Sequence, residues 1–251
     1  MRKGILATAV LGLGLTLAVS GEEVMQQVDA RPTPTTLHGT MTMELVDKRG
    51  KSLTRQIELW AKDDEKMLIK FQAPADVKGT AFLALKRPDG SDEMKLYLPA
   101  LKKVRRIAGS QRKGAFMGSD FTYDDISRLG SLDIEDYTHT LLREESSEEG
   151  TIYVVESTPK PGVNSSYEKL IVWVPETTYV PVKIEFYKKG RLYKVLTADR
   201  IQPFANGRYQ IPTRLVMENV QAKHKTVLTL SDLEVDAEIP DTVFTERFMK
   251  R

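Results

Sequence analysis

Three histidines, His38, His139 and His224, are the side chains best suited to hold a metal or move a proton in this chain, and no cysteine joins them. No two of them lie at metal-ligand spacing. The expectation is therefore no metal centre and no cofactor. Gly109-Ser-Gln-Arg-Lys-Gly114 opens like a phosphate loop, but Ala115 and Phe116 stand where that motif needs lysine and a hydroxyl residue. Ser110 and Lys113 fit a Ser-x-x-Lys pattern. That chemistry needs the serine at a helix start and the partner motifs Ser-Asp-Asn and Lys-Thr-Gly, and neither motif occurs. Asp124 and Asp125 form a carboxylate pair in sequence only, because adjacent helical residues point apart. No catalytic residue is expected, and the chain reads as non-enzymatic.

Charge is distributed unevenly. Residues 95–113 hold Lys95, Lys102, Lys103, Arg105, Arg106, Arg112 and Lys113 with no acid. Residues 120–136 hold six acids and one base, Arg128. The two blocks suit solvated faces that pair with each other. They equally suit a basic rim (Lys102, Lys103, Arg105, Arg106, Arg112, Lys113) for anionic headgroups or an acidic partner. Phe116, Met117 and Phe121 lie between the blocks, in a segment rich in glycine. Two roles fit them: a mobile lid over an apolar cavity, or core that fills the open end of a sheet.

The elements that must position these residues are mostly strands. A short helix over 22–29 has an apolar face of Val24, Met25 and Val28, and Pro32 and Pro34 stop it. Loosely alternating stretches follow at 37–46, 53–61, 66–71, 77–85, 93–98 and 102–107, divided by turn-forming residues. A helix is expected over 119–129, capped by Ser119 or Asp120. Strands resume near Thr138. An acidic turn at 144–150 leads to strands near 152–156, 168–174, 180–187, 192–201, 209–220 and 226–235, with Asn206-Gly207 as a hairpin signal. A last short helix spans 241–250. No helix is long enough for a parallel crossover, so the sheet is expected to be antiparallel, of about eleven strands, and curled to hide its edges.

The first twenty residues read as a cleavable signal peptide. Arg2 and Lys3 precede the apolar run 4–17, and Ala18 and Ser20 are small residues before Gly21. An almost wholly apolar run of about 14–16 residues is too short to span a hydrocarbon layer of about 30 Å. A single domain over 21–251, exported to the periplasm, is expected. Without cysteine it is neither disulfide-bonded nor a lipoprotein, and no later stretch is apolar enough to span a membrane. Residues 1–20 carry two cations and no acid, so the formal charge of +2 falls to zero over 21–251. A neutral chain argues against nucleic acid as a partner.

The run LYLPALKKVRRIAGSQRKGAFMGSDFTYDD over 96–125 resembles the signature of the LolA-like outer-membrane lipoprotein-sorting proteins. VDARP, LWAKDDEKMLIKFQAPADVKGTAFL, VWVPETTYVPVKIEFY, MENVQAKHKTVLTLSDLEV and FTERFMKR resemble it too, so the likeness covers about 22–251. It implies a mainly β fold: an unclosed antiparallel half-barrel with short helices over its mouth. It also implies a carrier of lipid, or of the acyl chains of lipoproteins, toward the outer membrane. The partners it implies are that cargo, an inner-membrane exporter of the RND type, an outer-membrane acceptor and transient membrane contact. Candidate cavity residues are Trp60, Phe71, Phe82, Leu96, Leu98, Trp173, Val174 and Phe186, and the lid candidates are Phe116, Met117 and Phe121. The alternative is an adaptor that binds an exporter or assembly partner through the basic residues and carries nothing.

Overall fold

The computed structural model describes residues 19–87, 91–129 and 134–251. The apolar part of the expected signal, 4–17, lies outside the described residues. Helix α1 (Gly21–Asp29) is capped by Ser20, whose hydroxyl accepts from the Glu23 N–H while the Glu23 carboxylate accepts from the Ser20 N–H. This reciprocal pair satisfies two of the amide groups a helix start leaves open. The buried face of α1 is Gly21, Val24, Met25 and Val28.

Six strands follow as a meander: β1 (Thr36–Val46), β2 (Ser52–Lys62), β3 (Lys66–Ala73), β4 (Ala81–Lys86), β5 (Asp92–Leu98) and β6 (Lys103–Ile107). Seven more complete the sheet: β7 (Tyr137–Ser147), β8 (Gly150–Pro159), β9 (Lys169–Pro175), β10 (Lys183–Lys188), β11 (Arg191–Phe204), β12 (Tyr209–Asn219) and β13 (His224–Val235). Turn chemistry sets the corners. Asp47 Oδ1 accepts from the Arg49 and Lys51 amides, and Asp63 and Asp64 both hold positive φ at the β2–β3 turn. Asn206 and Gly207 do the same before β12.

All thirteen strands form one sheet in the order β6-β5-β4-β3-β2-β1-β13-β12-β11-β10-β9-β8-β7. The two meanders join where β1 pairs antiparallel with β13. The two free edges, β6 and β7, are therefore consecutive in sequence. The connection between them includes short helix α2 (Tyr123–Ser127) and several 3-10 turns. One apolar cluster draws residues from both meanders, for example Met43, Ile69, Phe82, Val155, Val172 and Leu228. A sheet whose distant strands share one cluster must curl around it, and it does so without closing. A second, smaller cluster on the opposite face packs Trp60, Leu68 and Leu83 against Ile239, Val243, Phe244 and Met249 of the C-terminal segment, which ends in α3 (Glu246–Met249).

Four expectations are corrected. The described residues form thirteen strands, not about eleven. The polar sequence Glu144–Ser147 continues β7, so the expected acidic turn shrinks to the link between β7 and β8. The helix expected over 119–129 is only α2, and its cap is Thr122, paired reciprocally with Asp125. The closing helix is a 3-10 turn at Asp241–Val243 followed by one turn of α3. Among the described residues no helix is long and apolar enough to cross a membrane.

Candidate functional site: an apolar cavity beside a fixed plug

The cavity occupies the inner face of the curl and measures about 690 Å³. That falls within the range of about 300–1,000 Å³ usual for small-molecule sites. Met25 and Val28 of α1 form one wall, Leu170 and Val172 of β9 a second, and Leu215 and Met217 of β12 a third. They reach it because alternate strand residues face the same side. Polar side chains line it from several places: the link after α1, the β2–β3 turn, segment 109–128, and the stretches 134–139 and 163–167. His139 is buried there: its Nε2 lies 3.0 Å from the Ile134 carbonyl and its Nδ1 2.8 Å from Ser157 Oγ. The carbonyl can only accept, so a neutral ring donates from Nε2 and accepts the Ser157 hydroxyl.

Segment 109–129 fills the rest of the curl. Phe116 is 0% exposed and Phe121 1%. The Phe116 ring lies 5.3 Å from Phe82, 5.3 Å from Tyr123 and 6.0 Å from Phe71. Met117 has φ 48°, an uncommon conformation for a side chain of its size. Its carbonyl accepts from Arg55 Nη1 at 2.5 Å. Burial pushes the Arg55 guanidinium down, partly opposed by Asp76. Asp120 is held by Thr226, which accepts from its amide at 2.9 Å and donates to Oδ2 at 2.8 Å, and His224 Nδ1 lies 2.5 Å from its other oxygen.

Helix α2 is tied by charge. Arg112 donates to Asp124 at 2.7 Å and to Asp92 at 2.5 Å. Burial works against the Arg112 charge, and the two carboxylates outweigh it and raise the guanidinium. Asp125 accepts from the Tyr167 hydroxyl at 2.9 and 3.1 Å, and Lys194 Nζ lies 3.7 Å away. Burial, then Asp125, holds the Tyr167 phenol well above its ordinary range, so it stays a donor. Burial pushes the Lys194 ammonium down, and Asp125 partly restores it.

The residues singled out from sequence are distributed as follows. Phe186 lines the cavity, as does Phe121. Phe71, Phe82, Leu96 and Val174 are buried in the same cluster, and Leu98 and Met117 pack against it. Trp60 belongs to the opposite face, 5.6 Å from Phe248. Trp173 is half-buried under Lys183, 3.9 Å from its ring. Of the basic residues, Arg112 is turned inward, and Lys113 donates to Asn164 at 2.6 Å and to the Ser165 carbonyl at 2.8 Å. Lys102, Lys103, Arg105 and Arg106 are exposed on the β5–β6 edge hairpin. Sequence reasoning did not pick Leu170, Val172, Leu215 or Met217 for the cavity. Their alternation was visible, but the face they present depends on register and curvature. Among the described residues no group of three or more His, Asp or Glu side chains is placed to hold a metal.

Comparison with known proteins places this geometry. Residues 63–251 match a family whose description reads "-like: Uncharacterized protein". None of the curated proteins matches significantly. A solved structure from Vibrio parahaemolyticus, described as an outer membrane lipoprotein-sorting protein domain, is similar at 34% identity and TM-score 0.83 over 92% of this chain and 98% of that one. A DUF1329 family protein from Desulfovibrio piger is 29% identical, with TM-score 0.84 over 91% of this chain and 97% of that one. A LolA superfamily protein from Nitrosomonas europaea shares the fold at 24% identity and TM-score 0.71, over 92% of this chain and 100% of that one. With that sequence likeness over nearly its whole length, and with its unclosed antiparallel sheet, the chain belongs to the LolA-like outer-membrane lipoprotein-sorting protein family.

Proposed function

We propose that the protein is a periplasmic carrier that shelters lipid, or the acyl chains of a lipoprotein, in its cavity for transfer toward the outer membrane. The apolar cavity of about 690 Å³ carries this reading. Each methylene moved from water into such a site gains roughly 0.8 kcal/mol. A long chain thus supplies enough free energy to hold a lipid with no covalent step. Release needs a tighter acceptor or a competing occupant. The signal-like first twenty residues support the location.

Filling the cavity tests the role. Ala198 is buried on β11 and lines it. Ala198→Trp should lower the affinity for a fluorescent fatty acid at least tenfold. Unchanged binding in a variant that unfolds like the wild type would place the ligand elsewhere.

One observation favours a second reading, that of an exporter adaptor. Lys102, Lys103, Arg105 and Arg106 have no carboxylate at ion-pair distance among the described residues, and Leu101 beside them is 59% exposed. Charge reversal at Arg105 and Arg106 separates the two. An adaptor loses capture of its membrane partner, whereas a carrier keeps its bound lipid.

A further inference from the structure

Four cationic side chains line the cavity: Arg31, Lys62, Arg112 and Arg128. Three of them have carboxylate partners. Lys62 Nζ lies 2.9 Å from Asp241, Arg112 bonds Asp92 and Asp124, and Arg128 Nη2 lies 3.7 Å from Asp92. Arg31 differs. Its Nε donates to the Val28 carbonyl at 3.0 Å, and neither Nη has an acceptor among the described residues. Among the described residues no carboxylate reaches ion-pair distance of it. The side chain is half-buried just past α1. Burial pushes its guanidinium down, and Asp29 opposes this only through space.

A guanidinium kept partly out of water without a partner is costly, and an anion supplied by a ligand would relieve the cost. Its planar fork suits a carboxylate or a phosphate oxygen pair. Seven aspartates also line the cavity: Asp29, Asp63 and Asp64 are exposed, where water weakens their fields, Asp92 and Asp124 are paired with Arg112, Asp125 is held by Tyr167 and Lys194, and Asp136 is half-buried. At roughly 30 Å³ for a methylene-sized group, the cavity holds roughly twenty such groups, about one long chain with its headgroup.

We infer that Arg31 reads the headgroup of the cargo: the cavity takes an amphiphile whose carboxylate or phosphate sits on the Arg31 fork while its chain lies along the apolar walls. This rests on the carrier reading above. The site names the chemistry shared by fatty acids and lysophospholipids.

The test uses the exported chain and four probes with one common tail: palmitate, palmitoyl lysophosphatidate, monopalmitoyl glycerol and hexadecylamine. Inorganic phosphate is the fifth ligand. A charge-assisted pair predicts that palmitate and the lysophosphatidate bind about ten- to a hundredfold more tightly than the neutral glyceride. Arg31→Gln should erase that margin and leave glyceride binding unchanged, which also reports that the variant is folded. Arg31→Lys should keep part of it. Equal binding of all headgroups, a margin that survives Arg31→Gln, or a preference for the amine would overturn the assignment. So would inorganic phosphate binding through Arg31 as tightly as the lysophosphatidate, since the site would then serve a free anion. If no amphiphile binds, the carrier reading itself falls and takes this one with it. If the glyceride binds as well as the acids, only the headgroup site falls.

Discussion

Arg55 donates to the Met117 carbonyl from a position that is 8% exposed, and its Nε has no acceptor. Tyr167 and Lys194 surround Asp125 in the same way, with little water to help. Removing one partner from such a group leaves the other buried and unpaired, at about 1–3 kcal/mol. Tyr167→Phe should lower unfolding stability by about that amount in urea titration, because Asp125 loses its hydroxyl donor. Arg55→Leu should loosen 115–123 selectively, seen as faster amide exchange there than in β1 or β13. Uniform exchange across the chain would mean that Arg55 does not pin the plug. Asp124 and Asp125 part company as helical neighbours must, one to Arg112 and the other to Tyr167. The roles of Arg55 and Lys194 were illegible, because each meets its partner only after dozens of intervening residues have folded.

Helix α1 lies against β7 through Gly21. A Cβ there would sit 2.5 Å from the Leu141 nitrogen and 2.7 Å from the Thr140 carbonyl carbon, and backbone cannot yield as a flexible side chain can. Gly21→Ala should therefore cost about 1–3 kcal/mol and free α1 from the cavity wall it forms. Thermal unfolding measures the cost. The C-terminal segment is fastened by carboxylates instead. The Tyr209 hydroxyl, then the Thr35 groups, hold Asp236 below the usual carboxylate range; Lys62 and Lys66 do so for Asp241, and Lys95 for Glu246. Lowered folded values mean stability that is complete above about pH 4 and is lost as pH falls through those values. Asp241→Asn should flatten the acid side of the stability profile, and superimposable profiles would show that the clasp adds nothing. Strand positions were legible wherever apolar residues alternated or Asn-Gly marked a corner. The acidic end of β7, Glu144–Ser147, was not, because an edge strand with acids on it carries the composition of a loop.

The order of the sheet explains the molecule. Two meanders meet at β1 and β13, and the seam left between β6 and β7 is bridged by the chain segment that joins those two strands. The described stretch 109–129 of that connection packs inside the curl, so the inner space is divided between a plug and a cavity. An antiparallel curled sheet could be argued from strand number and edge protection. The join of first and last strands could not, since local alternation carries no information on long-range pairing. For the same reason Trp60, as apolar as any residue on β2, faces the C-terminal segment instead of the cavity. A carrier whose cavity holds cargo should leave the cell loaded. The most direct measurement is a pair of mass spectra, native and denaturing, on protein produced with its own first twenty residues and purified gently from the periplasm. The expected result is a mass excess in the native spectrum that vanishes on denaturation and yields an extractable acylated species. A bare polypeptide mass in both, with no uptake of added phospholipid or fatty acid, would contradict it.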